Sequence, residues 1–467
     1  MKVTFITPHV GRKSRREYVR TWQMEPLTIA TLAGLTPPDM ETAYFDERIE
    51  PIDFDDPTDL AAVTVETYTA KRAYEIAAEY HRRGVRVILG GYHVTLLPEE
   101  AQEHADSILI GYAEPLWEQV LRDAAGGSLR RRYVQDRGKP YAFSMPRREL
   151  FAGRPYFRLS CVETGRGCPL RCNFCSIAAA TNSTYLGRPI GDVVAEIAGL
   201  RNRQVFFVED NFVGNPKHAR QLCDEIAPLK ITWVGQGTLN MARDDALLEA
   251  MARSGCAGVL IGFESLSHET LGLMDKKVNT VNGDYRELIA RLHAHGIALY
   301  GTFIFGYDSE SAEDVLRTAE AAIEFGLFIA AFNHLIPFPG TPLYEQFRQA
   351  GRLSDDPWWL SPTFRFGDVP FEPKNVTARE LRDLCIGARR RFYSLPAVLR
   401  RSGNVRGNCR TLRKAGAFFS INALLRKEID QKNGLPLGNE PERPEPLFRA
   451  TEPLPVLAIA GTRAGSA

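Results

Sequence analysis

The sequence predicts an α/β protein made of two parallel-sheet units and a helical extension. Short apolar runs alternate with helical patterns from Met1 to about residue 127, and the alternation resumes at Phe157 and repeats about six times. After Gly351 the patterns are helical. A chain of 467 residues, 44% of them hydrophobic, has room for two or three domains with a sizeable core. We therefore expect a doubly wound parallel sheet, a partial (β/α)6 barrel and a helical C-terminal extension.

The first unit covers residues 1–127. Short apolar strands separated by helices indicate a parallel sheet that is covered on both faces and binds ligands at the carboxyl ends of its strands. Residues 128–156 are rich in Arg, Gly and Pro and predict a linker. The predicted strands of the first unit are 3–6, 43–45, 61–65, 85–89 and 107–110, and the predicted helices are 26–35, 71–83, 98–104 and 114–123.

The second unit covers residues 157–350 and contains six strand-and-helix repeats. Six such units in series are typical of a partial barrel, whose chemistry lies at the carboxyl ends of the strands. The predicted strands are 159–162, 205–208, 231–234, 259–261, 299–305 and 328–336, and the predicted helices are 191–201, 216–227, 244–254, 285–295, 311–325 and 342–350.

Three cysteines follow the first strand of this second unit. Cys168, Cys172 and Cys175 have the spacing Cys-x3-Cys-x2-Cys, and Phe174 precedes the third. Four thiolates would complete a zinc or iron–sulfur site, whereas three can hold three irons of a [4Fe–4S] cube and leave the fourth iron open. A zinc knuckle is the alternative, but zinc motifs come as pairs of ligands and the chain has no second pair.

This spacing resembles the signature of the radical S-adenosylmethionine (SAM) enzymes. The resemblance implies a [4Fe–4S] cluster that binds SAM through its open iron and passes an electron to the sulfonium. It also implies that residues after the second to sixth strands of this unit bind SAM. Phe174 would lie beside the cluster. The SAM-binding residues are Glu209, Asp210 and Asn211 near the SAM amino group, Gln236 after the third strand, Glu264 and Ser265 at the ribose and methionine, and Gly306, Pro337 and Phe338 at the adenine.

The first unit resembles the cobalamin-binding-type domain that precedes many radical SAM cores. Gly90 and Gly91 follow a strand and would let a nucleotide tail approach the backbone, although a tight turn without a ligand explains them equally well. The Asp-x-His of cobalamin proteins that have a lower histidine ligand is missing. The end of the third strand, with Glu66 and Tyr68, is bulkier than a corrin face needs. The resemblance nevertheless implies cobalamin as a third cofactor.

The remaining cysteines are scattered, so we expect no auxiliary cluster. Cys161 precedes the cluster loop and is the candidate for substrate contact or hydrogen donation. In the extension, residues 351–435, the group Asp356-Pro357-Trp358-Trp359-Leu360 is expected to pack over an open edge or end of the barrel. The composition of residues 436–467, rich in Pro and Glu and then in Ala and Gly, predicts a flexible tail.

The resemblance implies an enzyme that alkylates a small-molecule biosynthetic substrate, most directly by methyl transfer through cobalamin. A second hypothesis is cobalamin-free transfer of the 3-amino-3-carboxypropyl group of SAM to an acceptor such as trivalent arsenic, as in enzymes resembling the arsinothricin biosynthetic enzyme. A third is a sensor that binds a cluster or cobalamin without turnover. An electron donor such as flavodoxin or ferredoxin is the expected protein partner.

Composition and charge argue against several other classes of function. A net charge of +1 argues against general affinity for nucleic acid, and sparse cysteines fit a reducing compartment. We see neither a signal peptide nor an apolar run of membrane-spanning length, so the expectation is a cytoplasmic protein.

Overall fold

The computed structural model describes residues 1–12, 23–139, 142–279, 285–429, 431 and 433–439. It contains two parallel six-stranded sheets joined by a segment that packs against both, and a helical extension. None of the described helices is both long and apolar enough to cross a lipid bilayer.

The N-terminal sheet has the strand order β3-β1-β4-β5-β6-β7, and all its neighbouring strands are parallel. The chain first adds β3 on one side of β1 and then β4 on the other, so a topological switch point lies between β1 and β4. Ligands of such sheets bind at this point, beyond the carboxyl ends. The elements are β1 (Lys2–Thr7), β2 (Gly11–Arg12), α1 (Leu27–Leu35), β3 (Glu41–Asp46), β4 (Leu60–Thr64), α2 (Ala70–Arg82), β5 (Arg86–Gly90), α3 (Tyr92–Leu96), α4 (Pro98–Gln102), β6 (Ser107–Ile110), α5 (Trp117–Ala125) and β7 (Arg132–Val134).

Residues 128–156, predicted as a linker, are part of the packed structure. They contribute β7 to the sheet, where Tyr133 is buried, and then a short 3-10 helix at Arg148–Phe151. Phe151 packs edge-on against Tyr44 of β3. The N-terminal sheet therefore extends past residue 127.

The second sheet has the order β15-β14-β13-β12-β11-β8, again with all neighbouring strands parallel. The edge strands β8 and β15 are not paired with each other, so the six strands form a partial barrel, as predicted. Its elements are β8 (Ser160–Val162), β9 (Gly165–Gly167), α6 (Ser176–Thr181), β10 (Tyr185–Gly187), α7 (Ile190–Gly199), β11 (Gln204–Phe207), α8 (Pro216–Ile226), β12 (Thr232–Gly237), α9 (Asp245–Arg253), β13 (Cys256–Glu264), α10 (His268–Leu273), α11 (Tyr285–Ala294), β14 (Ala298–Phe305), α12 (Ala312–Glu324), β15 (Ile329–His334) and α13 (Pro342–Gln349).

The extension covers the open edge of the barrel. Tyr393, just after α14, donates its hydroxyl to the Ala330 carbonyl at 2.8 Å and accepts from the Ala330 N–H, so β15 has partners for these edge groups. The extension consists of α14 (Ala378–Phe392), α15 (Leu395–Ser402), α16 (Val405–Asn408), α17 (Leu412–Glu428) and β16 (Gly438–Asn439).

The extension also completes the core of the N-terminal unit. Trp358 and Trp359 are fully buried in a cluster that includes Ile6 and Val63 of the first sheet. Trp358 donates its indole N–H to the Pro337 carbonyl at 3.1 Å, so this aromatic group lies between the barrel end and the N-terminal unit.

The predicted tail begins with ordered residues. Leu437 is buried in the same cluster, and β16 pairs in parallel with β2. Residues 440–467 lie outside the described part of the chain.

Candidate active site

The three clustered cysteines lie on the loop between β9 and α6. Cys168 Sγ accepts a hydrogen bond from Asn211 Nδ2 at 3.5 Å. Burial raises the pKa of the Cys172 thiol to about 12 and also raises the pKa of Cys175, although backbone N–H groups at the start of α6 oppose the rise at Cys175. Ionising one thiol would raise the pKa of its neighbours, so the group favours a bound cation.

The donor set fits an iron–sulfur cube rather than a single ion. All three thiols are free. Among the described residues, no three His, Cys, Asp or Glu side chains converge on one point as a single metal ion requires. In a [4Fe–4S] cube each thiolate binds a separate iron, and three free thiols on one loop meet that requirement.

Asn173 connects the cysteine loop to the rest of the site. Its N–H donates to the Met274 carbonyl at 3.1 Å and its Nδ2 donates to the Leu273 carbonyl at 2.7 Å. Its Oδ1 accepts the hydroxyl of Tyr307 at 2.9 Å, from the end of β14. The loop position is therefore fixed by the segment after α10 and by β14. Phe174 is half-buried and packs against the barrel core.

Glu264 at the end of β13 forms a buried ion pair with Lys276. Lys276 Nζ lies 3.0 Å from Glu264 Oε1, and both residues are less than 10% exposed. Glu264 has a φ of +63°, a backbone conformation that is unfavourable for a residue with a side chain and that often occurs at functional sites. The sequence motif identified Glu264 and Ser265 but not Lys276.

Glu209 and its neighbours present polar atoms that lack partners. Glu209 is 2% exposed, and Thr164 donates its hydroxyl to Oε2, but Oε1 and Asn211 Oδ1 have no hydrogen-bond partner among the described residues. Burial raises the pKa of Glu209 well above its ordinary range. Gln236 Nε2 donates to the Glu209 carbonyl at 2.5 Å, and Asp210 Oδ2 accepts the Gly167 N–H at 2.8 Å. Buried acceptors without partners are suited to an ammonium group of a ligand.

Glu310 joins the ends of β13 and β14. Its carboxylate accepts the backbone N–H of Gly306 at 2.9 Å and of Tyr307 at 3.2 Å, and the hydroxyl of Ser265 at 3.2 Å. Burial raises its pKa to about 7. Sequence reasoning missed Glu310, since it lies in the loop before α12 and belongs to no motif.

At two positions of the predicted site, backbone conformation and packing already require a glycine. Gly306 has a φ of +121°, and a Cβ there would lie 2.9 Å from a methyl group of Leu381. Gly91 has a φ of +117°, and a Cβ there would lie 2.6 Å from the Val65 carbonyl oxygen. At Gly90 a Cβ would make only ordinary contact, so its contact with a ligand stays a prediction.

Aromatic packing fixes Pro337 and Phe338 beside the N-terminal unit. The Phe338 ring lies 6.0 Å from the ring of Tyr68 and 6.2 Å from that of Trp358. The Tyr68 ring also contacts Phe366 of the extension, at 5.1 Å. Tyr68, which the sequence analysis identified as a possible obstacle to a corrin, is therefore held in an aromatic cluster.

The carboxyl ends of the two sheets meet where α3, which follows β5, packs against α6, which follows the cysteine loop. Tyr92, the first residue of α3, is 37% exposed, yet burial and then the charge of Asp210 on the barrel raise its pKa. Glu66, after β4, is also exposed to water, and the surrounding protein desolvates it enough to raise its pKa. Both residues follow strands of the first sheet, at the end of that sheet that meets the barrel.

His9 follows β1, His93 follows β5, and a carboxylate contacts each of them. His9 lies 3.6 Å from Glu47, which also forms an ion pair with Arg72. His93 is fully buried and its ring nitrogens contact Glu100 and Thr67.

Cys161 lies on β8 at the boundary between the two units. Its Sγ is 3.9 Å from Met24 Sδ, and burial raises its pKa to about 12, so it is a neutral thiol at physiological pH. Its hydrogen-donating role stays a prediction.

Comparison with known proteins agrees with this geometry. A model of the Radical SAM superfamily matches residues 162–322. Bacteriochlorophyllide d C-12(1)-methyltransferase of Chlorobaculum tepidum is 30% identical over 390 residues, which cover 80% of this chain and 84% of that protein. The C-8(2)-methyltransferase of the same organism is 28% identical over 71% of this chain and 78% of that protein.

The fold also matches a solved structure. The radical SAM methyltransferase TsrM from Kitasatospora setae, with cobalamin and a [4Fe–4S] cluster bound, superposes with a TM-score of 0.58 over 75% of each chain at 18% identity. At this identity the match shows a shared fold. The family assignment rests on the sequence matches given above. The chain belongs to the radical SAM superfamily and, within it, to the class B-like methyltransferase family.

Proposed function

We propose that this protein is a cobalamin-dependent radical SAM methyltransferase that methylates a small biosynthetic molecule. The observation that carries the proposal is that the carboxyl ends of the two sheets face each other, since α3, which follows β5 of the first sheet, packs against α6, which follows the cysteine loop of the barrel. The cysteine loop lies at the same end of the barrel. The relatives that match most of the chain are methyltransferases by name.

Each part of the site has a task in this proposal. Cys168, Cys172 and Cys175 would hold three irons of the [4Fe–4S] cluster, which would supply the electron for SAM cleavage. Glu209 and Asn211 accept hydrogen bonds from the SAM amino group, because their buried oxygens lack partners among the described residues. Glu310 keeps Ser265 against the backbone at the end of β14, which positions the nucleoside.

Cobalamin would lie at this junction without a lower histidine ligand. It would supply the methyl group, and the crevice at the β1–β4 switch point would hold its tail. His9 and His93 are engaged by carboxylates and are not placed to ligate cobalt. A flavodoxin or ferredoxin would supply the electrons.

The test is product analysis after anaerobic reconstitution. Protein expressed with a cobalamin supply should contain cobalt, show the visible spectrum of cobalamin without a histidine ligand, and form S-adenosylhomocysteine and 5′-deoxyadenosine with substrate. If the protein takes up no cobalt and releases 5′-methylthioadenosine, the enzyme transfers the 3-amino-3-carboxypropyl group instead. A protein that binds its cofactors but cleaves no SAM would be a sensor.

A further inference from the structure

The inner face of the partial barrel is an apolar surface that water can reach. Along β14 the residues that face the helices are buried, whereas Tyr300, Thr302 and Ile304, which alternate with them, are only half-buried. The equivalent inner positions of β12 and β13 carry Val234 and Leu260, which are also half-buried. A small molecule in this lumen would meet mainly apolar side chains.

One arginine reaches the inner face from outside the barrel. Arg389 belongs to α14, which covers the edge strand β15. Its Nε donates to the Phe332 carbonyl at 3.0 Å, and its Nη2 donates to Asn333 Oδ1 at 2.7 Å. Phe332 packs with the outer core, so Asn333, the next residue along the strand, lies on the inner face.

No described residue neutralises the charge of Arg389, because no carboxylate in the described ranges lies within ion-pair distance of it. Arginines on the same helix differ: Arg382 pairs with Asp368 at 3.1 Å, and Arg391 pairs with Glu320 at 2.5 Å. Arg389 is also half-buried, and an unpaired charge that is partly removed from water is less stable than one on the surface.

The neighbours of Arg389 do not supply a negative charge either. Burial, followed by the charge of Arg389, lowers the pKa of His334 to about 4, so this imidazole is neutral at physiological pH. His334 contacts the Asp368 carbonyl oxygen at 3.0 Å. Tyr300 has its pKa raised by burial, so its phenol is also neutral.

We propose that Arg389 is a carboxylate anchor of the barrel lumen, which selects an apolar small molecule that carries a carboxylate. Two N–H groups on Nη1 and one on Nη2 have no partner within the described part of the chain, and a guanidinium with free N–H groups binds a carboxylate in a bidentate manner. This inference rests on the proposed function, because it assigns the lumen to the reaction. Two carboxylates could occupy the anchor: that of the substrate and that of the methionine part of SAM.

The experiment compares two fluorescent probes that differ only in charge. Full-length protein with a reconstituted cluster is titrated with 1-pyrenebutyric acid and with 1-pyrenebutanol. The wild-type protein should bind the acid about tenfold more tightly, Arg389→Gln should lose the preference, and Arg389→Lys should keep part of it because it keeps the charge. Arg391→Gln, on the same helix and paired with Glu320, is the matched control and should keep the full preference.

A second arm distinguishes the two carboxylates. SAM affinity is measured by equilibrium dialysis with the same variants. Lost preference for the acid with unchanged SAM affinity assigns the anchor to the substrate, whereas SAM affinity that falls about tenfold in Arg389→Gln assigns it to SAM. The proposal is overturned if SAM affinity is unchanged and the wild-type protein shows no preference for the acid, whether both probes bind equally or neither binds.

Neither arm requires turnover. A protein that selects the acid through Arg389 but transfers no methyl group would contradict the proposed function and leave the anchor intact. A methyltransferase that shows no preference for the acid, and whose SAM affinity is unchanged in Arg389→Gln, would contradict only the anchor.

Discussion

Lys276 Nζ lies 3.0 Å from Glu264 Oε1, and this buried pair adjoins the cysteine loop because the segment after α10 is hydrogen-bonded to Asn173. The ammonium group also acts on the thiols, since its charge lowers the pKa of Cys172 and of Cys175 against the effect of burial. A buried cation beside a cluster favours the more negative, reduced form.

Replacing Lys276 should therefore make the cluster harder to reduce. In Lys276→Gln we expect the midpoint potential to shift to more negative values, measured by EPR-monitored redox titration of the reconstituted protein. The neighbouring Lys277→Gln, at an exposed position, is the control and should leave the potential near that of the wild type. An unchanged potential in Lys276→Gln would show that the lysine serves only to pair with Glu264.

The cysteines should be required for iron binding. Reconstituted wild-type protein should contain about four irons per chain, and Cys168→Ala, Cys172→Ala and Cys175→Ala should each abolish SAM cleavage. Cys409→Ala, at a half-buried position in the extension, should keep both iron and activity. Normal SAM cleavage by the triple variant would refute the cluster assignment.

Glu264 should contribute to SAM binding and not to iron binding. Glu264→Gln keeps the size of the side chain and removes its charge, so we expect SAM affinity to fall about tenfold while the iron content stays the same. Equilibrium dialysis and iron analysis on one preparation separate the two effects. Normal SAM affinity would mean that Glu264 is structural and acts through Lys276.

Glu310 should make stability depend on pH. Its pKa is raised from the ordinary 4.5 to about 7 in the folded protein. The folded state therefore holds this proton more tightly than the unfolded chain does, and the resulting stability is complete below pH 4.5 and is lost as the pH rises to 7. A difference of one pH unit between the folded and unfolded pKa values corresponds to about 1.36 kcal/mol of unfolding free energy.

Glu310→Gln should therefore raise the thermal midpoint more at pH 8 than at pH 5.5, relative to wild type. Glu313→Gln, exposed on α12, should change neither value. An equal effect of Glu310→Gln at both pH values would contradict a raised pKa.

The alternation of apolar runs and helical patterns predicted the two sheets, because a strand that is buried on both faces is a continuous apolar run in the sequence. The order of the strands then placed Glu209 and Glu264 correctly at the same end of the barrel. Lys276 and Glu310 were not predicted, since the burial of a charged side chain depends on contacts between distant segments.

Packing also changes how two of the glycines are interpreted. The sequence assigned Gly91 and Gly306 to ligand contact, but positive φ values and near contacts with Val65 and Leu381 already require glycine there. No local pattern distinguishes a glycine that a ligand needs from one that the next strand needs.

The burial of Trp358, Trp359 and Leu437 in the N-terminal core has a consequence for biosynthesis. The first sheet leaves the ribosome hundreds of residues before the side chains that cover one of its faces. That face, including Ile6 and Val63, is covered in part by α2, which follows it closely in the chain, but its packing is complete only when nearly the whole described chain has been translated. The N-terminal core therefore acquires its final packing only after Leu437 has left the ribosome.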